Sequence, residues 1–171
     1  YKVRVPFDFP SITLNSLSIK IFNSLYYAKA PKGKSNQLVN FESFFYPLDS
    51  IQDWNRIYGK KGFVQFQFIL PKDVSYDVIK SILISIAKSK KGSFLAVLKL
   101  HGNENNNLLS FPLEGYSLGL DFKIQPGVFE FINKITDQVI NNGGRVYLTK
   151  DALLTPEQIE KSYPKLEKFR S

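Results

Sequence analysis

The sequence predicts an α+β fold, a ferredoxin-like antiparallel sheet on a β-α-β-β-α-β core, with helices on one face and extra helices towards both ends. Three observations predict it. From Gly62 onward the apolar period changes in the order strand, helix, strand, strand, helix, strand. Each change is marked by a proline, a glycine or a helix-capping residue. The 171 residues make one domain, 1–171, able to bury about two-thirds of its unfolded surface without crosslinks or metals.

The elements follow in order. Ser16 to Ala28 reads as a helix, and Ala28 to Gln37 as a mobile connector bearing lysine and glycine, with no apolar period. Phe63 to Leu70 alternates, with Val64, Phe66, Phe68 and Leu70 on one face and Phe63, Gln65, Gln67 and Ile69 on the other; Pro71 stops it. Asp73 is expected to cap a helix reaching Ser89, whose stripe of Val78, Ile79, Ile82, Leu83 and Ile86 faces the sheet. Ser93 to His101 is a second strand, with Phe94, Ala96, Leu98 and Leu100 opposite Leu95, Val97, Lys99 and His101. Tyr116 to Phe122 is a third, placing Ser117, Gly119 and Asp121 outward. After Pro126 a helix buries Phe129, Ile132, Ile135 and Val139 until Gly143 and Gly144 end it, and Arg145 to Thr149 is the last strand. Thr155, Pro156, Glu157 and Gln158 form a capping box opening a terminal helix to about Phe169.

Composition narrows the chemistry. With no cysteine, a disulfide framework, a cysteine-ligated zinc site and a thiol nucleophile are excluded, and no metal site is expected. His101 is the single histidine and no Gly-x-Ser-x-Gly turn exists, which argues against a serine triad. The 23 Lys and Arg against 15 Asp and Glu give +8, favouring anionic partners such as phosphate esters, nucleic acid or an anionic membrane surface. No apolar run approaches the roughly 18 residues of a membrane span, so a cytoplasmic or membrane-peripheral chain is expected. The absence of methionine in a chain rich in Phe, Ile and Leu reads as a piece with flanks missing.

The uncovered sheet face collects Gln65, Gln67, Leu95, Val97, Lys99, His101, Ser117 and Gly119, polar groups over an apolar floor. Amides donate and accept, and a lysine favours an anion or developing negative charge, so this mixture suits a polyhydroxylated ligand. A solvated antiparallel face is the plain alternative for the glutamines. Gly119, inside a strand, marks close approach by a ligand or a bulge. Trp54 and Arg56, ahead of the first strand, are placed to stack on and hydrogen-bond a ligand, or the Trp belongs to the core. Lys61 to Phe68 echoes the aromatic signature of RNA-recognition motifs. That signature belongs on a third strand, however, and here glutamines replace the outward stacking aromatics.

Set together, Phe45-Tyr46-Pro47-Leu48-Asp49, Trp54-Asn55-Arg56, Tyr58-Gly59, Gly62-Phe63 with Gln65 to Phe68, Ser93-Phe94-Leu95 leading to Lys99, Ser110-Phe111-Pro112, Asp121-Phe122, Gly143-Gly144-Arg145 with Tyr147, Lys150-Asp151 and Tyr163-Pro164 carry a specific likeness. The chain resembles the substrate domain of the decaprenylphosphoryl-β-D-ribose oxidases and related sugar oxidases of the vanillyl-alcohol-oxidase flavoprotein superfamily. The resemblance implies FAD-dependent oxidation of a secondary sugar hydroxyl, on a polyprenyl-phosphate-linked or nucleotide-free glycosyl substrate of the cell-wall or glycan-precursor kind. It places the FAD in another domain of the same polypeptide, leaves this piece inactive alone, and adds an epimerase or reductase as a further partner, without nucleic acid or a membrane span.

By the same resemblance Lys150 is catalytic and cofactor-binding, reaching both flavin and substrate. Gln67 and Lys99 match polar pocket residues, with Gln65 on the same face. Phe45, Leu48, Ile51, Trp54 and Arg56 match the pocket mouth, and Leu95, Val97 and His101 its floor. Ser117 and Gly119 stand where the mycobacterial members carry Asn and Cys, and His101 where they carry an aromatic; these changes enlarge or repolarise the pocket. The general base lies in the flavin domain or is Lys150 itself. The competing function is a noncatalytic ferredoxin-like module binding RNA or another polyanion.

Overall fold

A computed structural model describes residues 3–34, 36–92, 95–151 and 153–171. The chain forms two compact units, Tyr1–Phe63 and Val64–Ser171.

In the first unit a short parallel pair, β1 (Val3–Arg4) and β2 (Ile51–Gln52), brings distant segments together. Helix α1 (Ser16–Ala28) starts where the sequence predicts. Asn15 Oδ1 accepts from the Leu17 and Ser18 amides at 2.9 and 3.1 Å, and Ser18 Oγ accepts in return from the Asn15 amide, closing a capping box. None of its residues is buried: Leu17, Ile21 and Leu25, one turn apart, stay exposed. A second helix, α2 (Phe41–Phe45), is capped by Asn40, and a 3₁₀ turn at Trp54–Tyr58 buries Tyr58, which stacks on Phe63 with ring centroids 4.4 Å apart.

The second unit carries the predicted core. Strand β3 (Phe63–Pro71) leads into α3 (Lys72–Ser89), followed by β4 (Ala96–His101), β5 (Gly115–Lys123), α4 (Val128–Asn141) and β6 (Arg145–Val146). The strands lie in the order β4-β5-β3-β6, so the unit's first and third strands are central, as a split β-α-β-β-α-β unit requires. The antiparallel register sets Val97 opposite Gly119 and Lys99 opposite Ser117, with Phe68 opposite Val146. Both helices cover one face. Phe66, Phe68, Leu70, Leu118, Leu120, Phe122 and Val146 meet Val78, Ile82, Ile86, Ile132, Ile135 and Val139 in one cluster. Leu70 and Phe122 are essentially inaccessible. Burying side chains of this size is worth about 1.5–3 kcal/mol each, which makes this sandwich the main stabilising feature of the unit.

Several boundaries move. Helix α3 begins at Lys72 behind Pro71, a residue pre-set for a helix start, so Asp73 sits in the first turn and does not cap. Leu83 is 43% exposed and Phe129 40%, because each lies at the flank of its helix's apolar stripe, whereas Ser75 and Thr136 turn inward and satisfy their hydroxyls on backbone carbonyls. The second strand is described from Ala96; Ser93 and Phe94 lie outside the described residues. The last strand stops at Val146, since after the Tyr147 amide donates to the Gln67 carbonyl the chain turns into a 3₁₀ segment, Leu148–Lys150. The terminal helix is two: α5 (Pro156–Ser162) opens on the predicted capping box, and α6 (Leu166–Arg170) follows a break at Tyr163-Pro164. Pro164 disfavours helical backbone at Tyr163, and its missing N–H removes a helical hydrogen bond.

Candidate functional site

The face of the sheet away from α3 and α4 is divided in two by a loop of its own unit. Arg145, buried to 8% exposure, donates to the Ser110 carbonyl at 2.6 Å and pairs with Glu104 at 3.0 Å, its guanidinium lying over the Tyr163 ring. This pins the segment after β4 across the sheet, where Phe111 and Leu113 bury Ile69 and pack on Tyr147. At that end Ser117 is wholly buried and shares a 2.8 Å hydrogen bond with His101 Nε2, while the His101 ring meets Phe111 edge-on. Burial, followed by the nearby Lys99 charge, lowers the His101 pKa and favours the neutral ring.

The other end stays open. Gln65, Gln67, Leu95, Val97, Lys99, Gly119, Asp121 and Lys150 line one pocket there, together with backbone of the neighbouring strands. Its volume is about 130 Å³. At about 30 Å³ per water this is room for some four waters, or one edge of a sugar ring. Strand alternation points Gln65 and Gln67 into it from β3, and the β4–β5 register brings Val97 and Gly119 side by side at its floor. Lys150 arrives from the 3₁₀ turn after β6. Its ammonium donates to Gln65 Oε1 at 2.5 Å, which fixes both side chains. Gly119 keeps the floor low: a Cβ built there would meet the Gln67 side chain at 3.8 Å, an ordinary contact, so the glycine leaves space that the fold itself does not require.

The structure thus brings together Gln65, Gln67, Leu95, Val97, Lys99, Gly119 and Lys150. It places His101 and Ser117 on the same face under the loop. Phe45, Leu48, Ile51, Trp54 and Arg56 belong to the first unit. There Arg56 donates to the Val5 and Pro6 carbonyls at 3.1 Å each and lies 3.6 Å from Asp53, holding the N-terminal segment. Trp54 packs edge-on against Tyr58 with its indole nitrogen buried and unpartnered, and Phe45 is 68% exposed. The sequence reading missed Asp121 as a pocket residue. Alternation on β5 had already set it outward with Gly119, and its 2% exposure beside Lys99 and Lys150 distinguishes it from a solvated carboxylate. Among the described residues no group of three or more His, Cys, Asp or Glu could hold a metal, and no helix is long and apolar enough to cross a membrane.

Fold and pocket define a class: an α+β unit whose open sheet face gathers amides, two lysines and a carboxylate around a small pocket. No protein-family profile matches the chain. It is similar over 98% of its length, at 36% identity across 167 residues, to the decaprenylphosphoryl-β-D-ribose oxidase of Mycolicibacterium smegmatis, as a piece of that enzyme family would be. It is also 25% identical over 97% of its length to an uncharacterised protein encoded in the mprA 5′ region of Streptomyces coelicolor. The chain spans 36% and 44% of these two relatives.

Proposed function

We propose that this chain is the substrate-binding portion of a longer FAD-dependent oxidoreductase that oxidises a secondary hydroxyl of a sugar carried on a polyprenyl phosphate. The observation that carries the proposal is the convergence of Lys150, Gln65, Gln67, Lys99 and Asp121 on one small pocket. The 36% identity to a relative named as an oxidase of a prenylphosphoryl ribose supports it.

The residues fit a flavin neighbour in charge and in scale. A half-buried ammonium fixed by Gln65 suits an anionic reduced ring, and a 130 Å³ pocket admits part of a sugar but no three-ring cofactor, which leaves FAD to the rest of the polypeptide. When bound, FAD supplies the two-electron acceptor. The work of this chain is positioning. Gln67 offers both a donor and an acceptor to vicinal hydroxyls, and Lys99, at the open rim, favours the phosphate or another anionic part of the ligand. Asp121 accepts a hydrogen bond from a hydroxyl, and Leu95 and Val97 give the ring an apolar floor that excludes water. Lys150 holds positive charge where negative charge develops.

Steady-state kinetics of the full-length enzyme test this. Lys150→Met is expected to lower kcat by about 10²-fold, the size of losing one well-placed charge-stabilising donor, while Lys99→Met and Gln67→Leu raise KM. Wild-type kinetics in all three variants would refute the assignment.

A further inference from the structure

Strand β4 ends the sheet, and nothing described within its own unit protects it. Five of its six residues are exposed, with Leu98 at 57% and Leu100 at 63%. Every second residue of an edge strand leaves its N–H and C=O unpaired, and among the described residues no loop or turn backbone bonds to Ala96–His101. The usual defences of a free edge are a proline, a bulge or several charges. Here the six-residue ladder to β5 runs in continuous register, and Lys99 is the one charged residue. Behind the edge, on the helix side, Leu98 and Tyr116 form the floor of a groove of about 800 Å³ walled by Tyr76, Ile79, Leu83 and Ile84 of α3, with Lys72 and Lys80 as its charged groups. Leu83 and Ile84 are over 40% exposed, so α3 presents an apolar flank that overhangs the end of the sheet.

We propose that β4 is an internal strand of a wider sheet, and that its open edge is taken by an extended segment of the same longer polypeptide. On this proposal the segment pairs its backbone with Ala96–His101, sets alternate apolar side chains into the groove and carries an acidic residue opposite Lys80. The choice of occupant has three grounds. Unpaired strand amides and carbonyls call for another strand, which a lipid tail or an inserted helix does not supply. Of the groove's two lysines Lys72 already lies 3.8 Å from the Glu114 carboxylate, whereas Lys80 sits over the Tyr76 ring with no carboxylate partner among the described residues, so an acidic residue is complementary to Lys80. The aligned segment makes up only 36% and 44% of the relatives, so a polypeptide of their kind has ample chain to donate. This source rests on the reading of the chain as part of a longer enzyme; the demand for a strand does not.

Hydrogen–deuterium exchange of the full-length protein tests it, with flavin absorbance recorded on the same sample. All amides of Ala96–His101 are expected to exchange on the order of a hundredfold or more slowly than those of loop 102–107, at every protein concentration. In Leu98→Lys that protection falls while β3 stays protected. Fast exchange at alternate β4 residues would overturn the proposal. So would protection that disappears on dilution into monomer, which would assign the edge to a second copy. Protection appearing only with added fatty acid would assign the groove to lipid and equally overturn it. A protected β4 in a colourless protein would sustain the strand while removing the flavoenzyme reading.

Discussion

Replacing Arg145 by methionine probes the contact that shapes the open face. Methionine keeps an unbranched apolar stem in place but removes the guanidinium. Its contact over the Tyr163 ring goes, and two polar interactions fail. The Ser110 carbonyl, in a residue 5% exposed, loses a 2.6 Å charge-assisted donor; a buried acceptor left unmet costs about 1–3 kcal/mol. The pair with Glu104 contributes less, because the Glu104 side chain is 36% exposed and water screens it; about 0–1 kcal/mol is the surface value. The sum is about 1–4 kcal/mol, which at about 2–4 °C per kcal/mol for a chain of this size is a fall in Tm of about 2–16 °C. Glu104→Gln, which removes only the exposed partner, should cost below about 1 kcal/mol. Thermal unfolding by circular dichroism gives both values, and limited proteolysis within 102–109 should accelerate in Arg145→Met alone. Equal destabilisation by the two variants, or a loss under about 0.5 kcal/mol in Arg145→Met, would refute the view that the carbonyl contact pins the loop.

Other consequences can be checked on the same chain. Gly115→Ala would place its Cβ 1.9 Å from the Leu70 carbonyl oxygen, a backbone clash expected to cost about 3 kcal/mol or more by chemical denaturation. Gly119→Ala meets only an ordinary contact and should leave stability within about 0.5 kcal/mol while weakening sugar binding to the full-length protein. Tyr163 donates to the Val146 carbonyl at 2.5 Å, and burial raises its pKa from 10.0 to about 12 despite the opposing Arg145 charge. Because the folded value is the higher one, its stabilisation is complete below pH 10 and lost as pH rises towards 12. Urea midpoints should fall over that range in the wild type and lose most of that slope in Tyr163→Phe. For His101 the folded value is lowered from 6.5, so its contribution is present above pH 6.5 and lost as pH falls through the folded value; His101→Gln should flatten the acid limb.

Much of this architecture is legible in the sequence where local pattern and burial agree. The alternation of Phe66, Phe68 and Leu70 and the stripe through Ile132, Ile135 and Val139 name core faces directly, and the Thr155–Gln158 capping box fixes a helix start. Legibility fails where distant chain decides. Nothing near Ser117 or Ile69 announces that Phe111 and Leu113 fold over them, because that closure depends on Arg145, many residues away. Arg145 to Thr149 carries a strand's composition, yet the chain leaves the sheet once Tyr147 has paired. The pocket is half visible in the sequence: outward Gln65, Gln67 and Lys99 are collected by alternation, whereas Asp121, set outward by the same rule, shows its part only through its burial in the pocket that Lys150 also lines.

The proposed function has this pocket hold a sugar against a flavin carried by the rest of the polypeptide. Its most direct test is the visible absorption spectrum of the full-length protein during anaerobic addition of a polyprenylphosphoryl pentose, in the wild type and in Lys150→Met. A yellow protein that bleaches rapidly is expected, and a variant that keeps its flavin yet bleaches about 10²-fold more slowly. A colourless protein that takes up no FAD and instead binds RNA, or a Lys150→Met variant that bleaches at the wild-type rate, would contradict it.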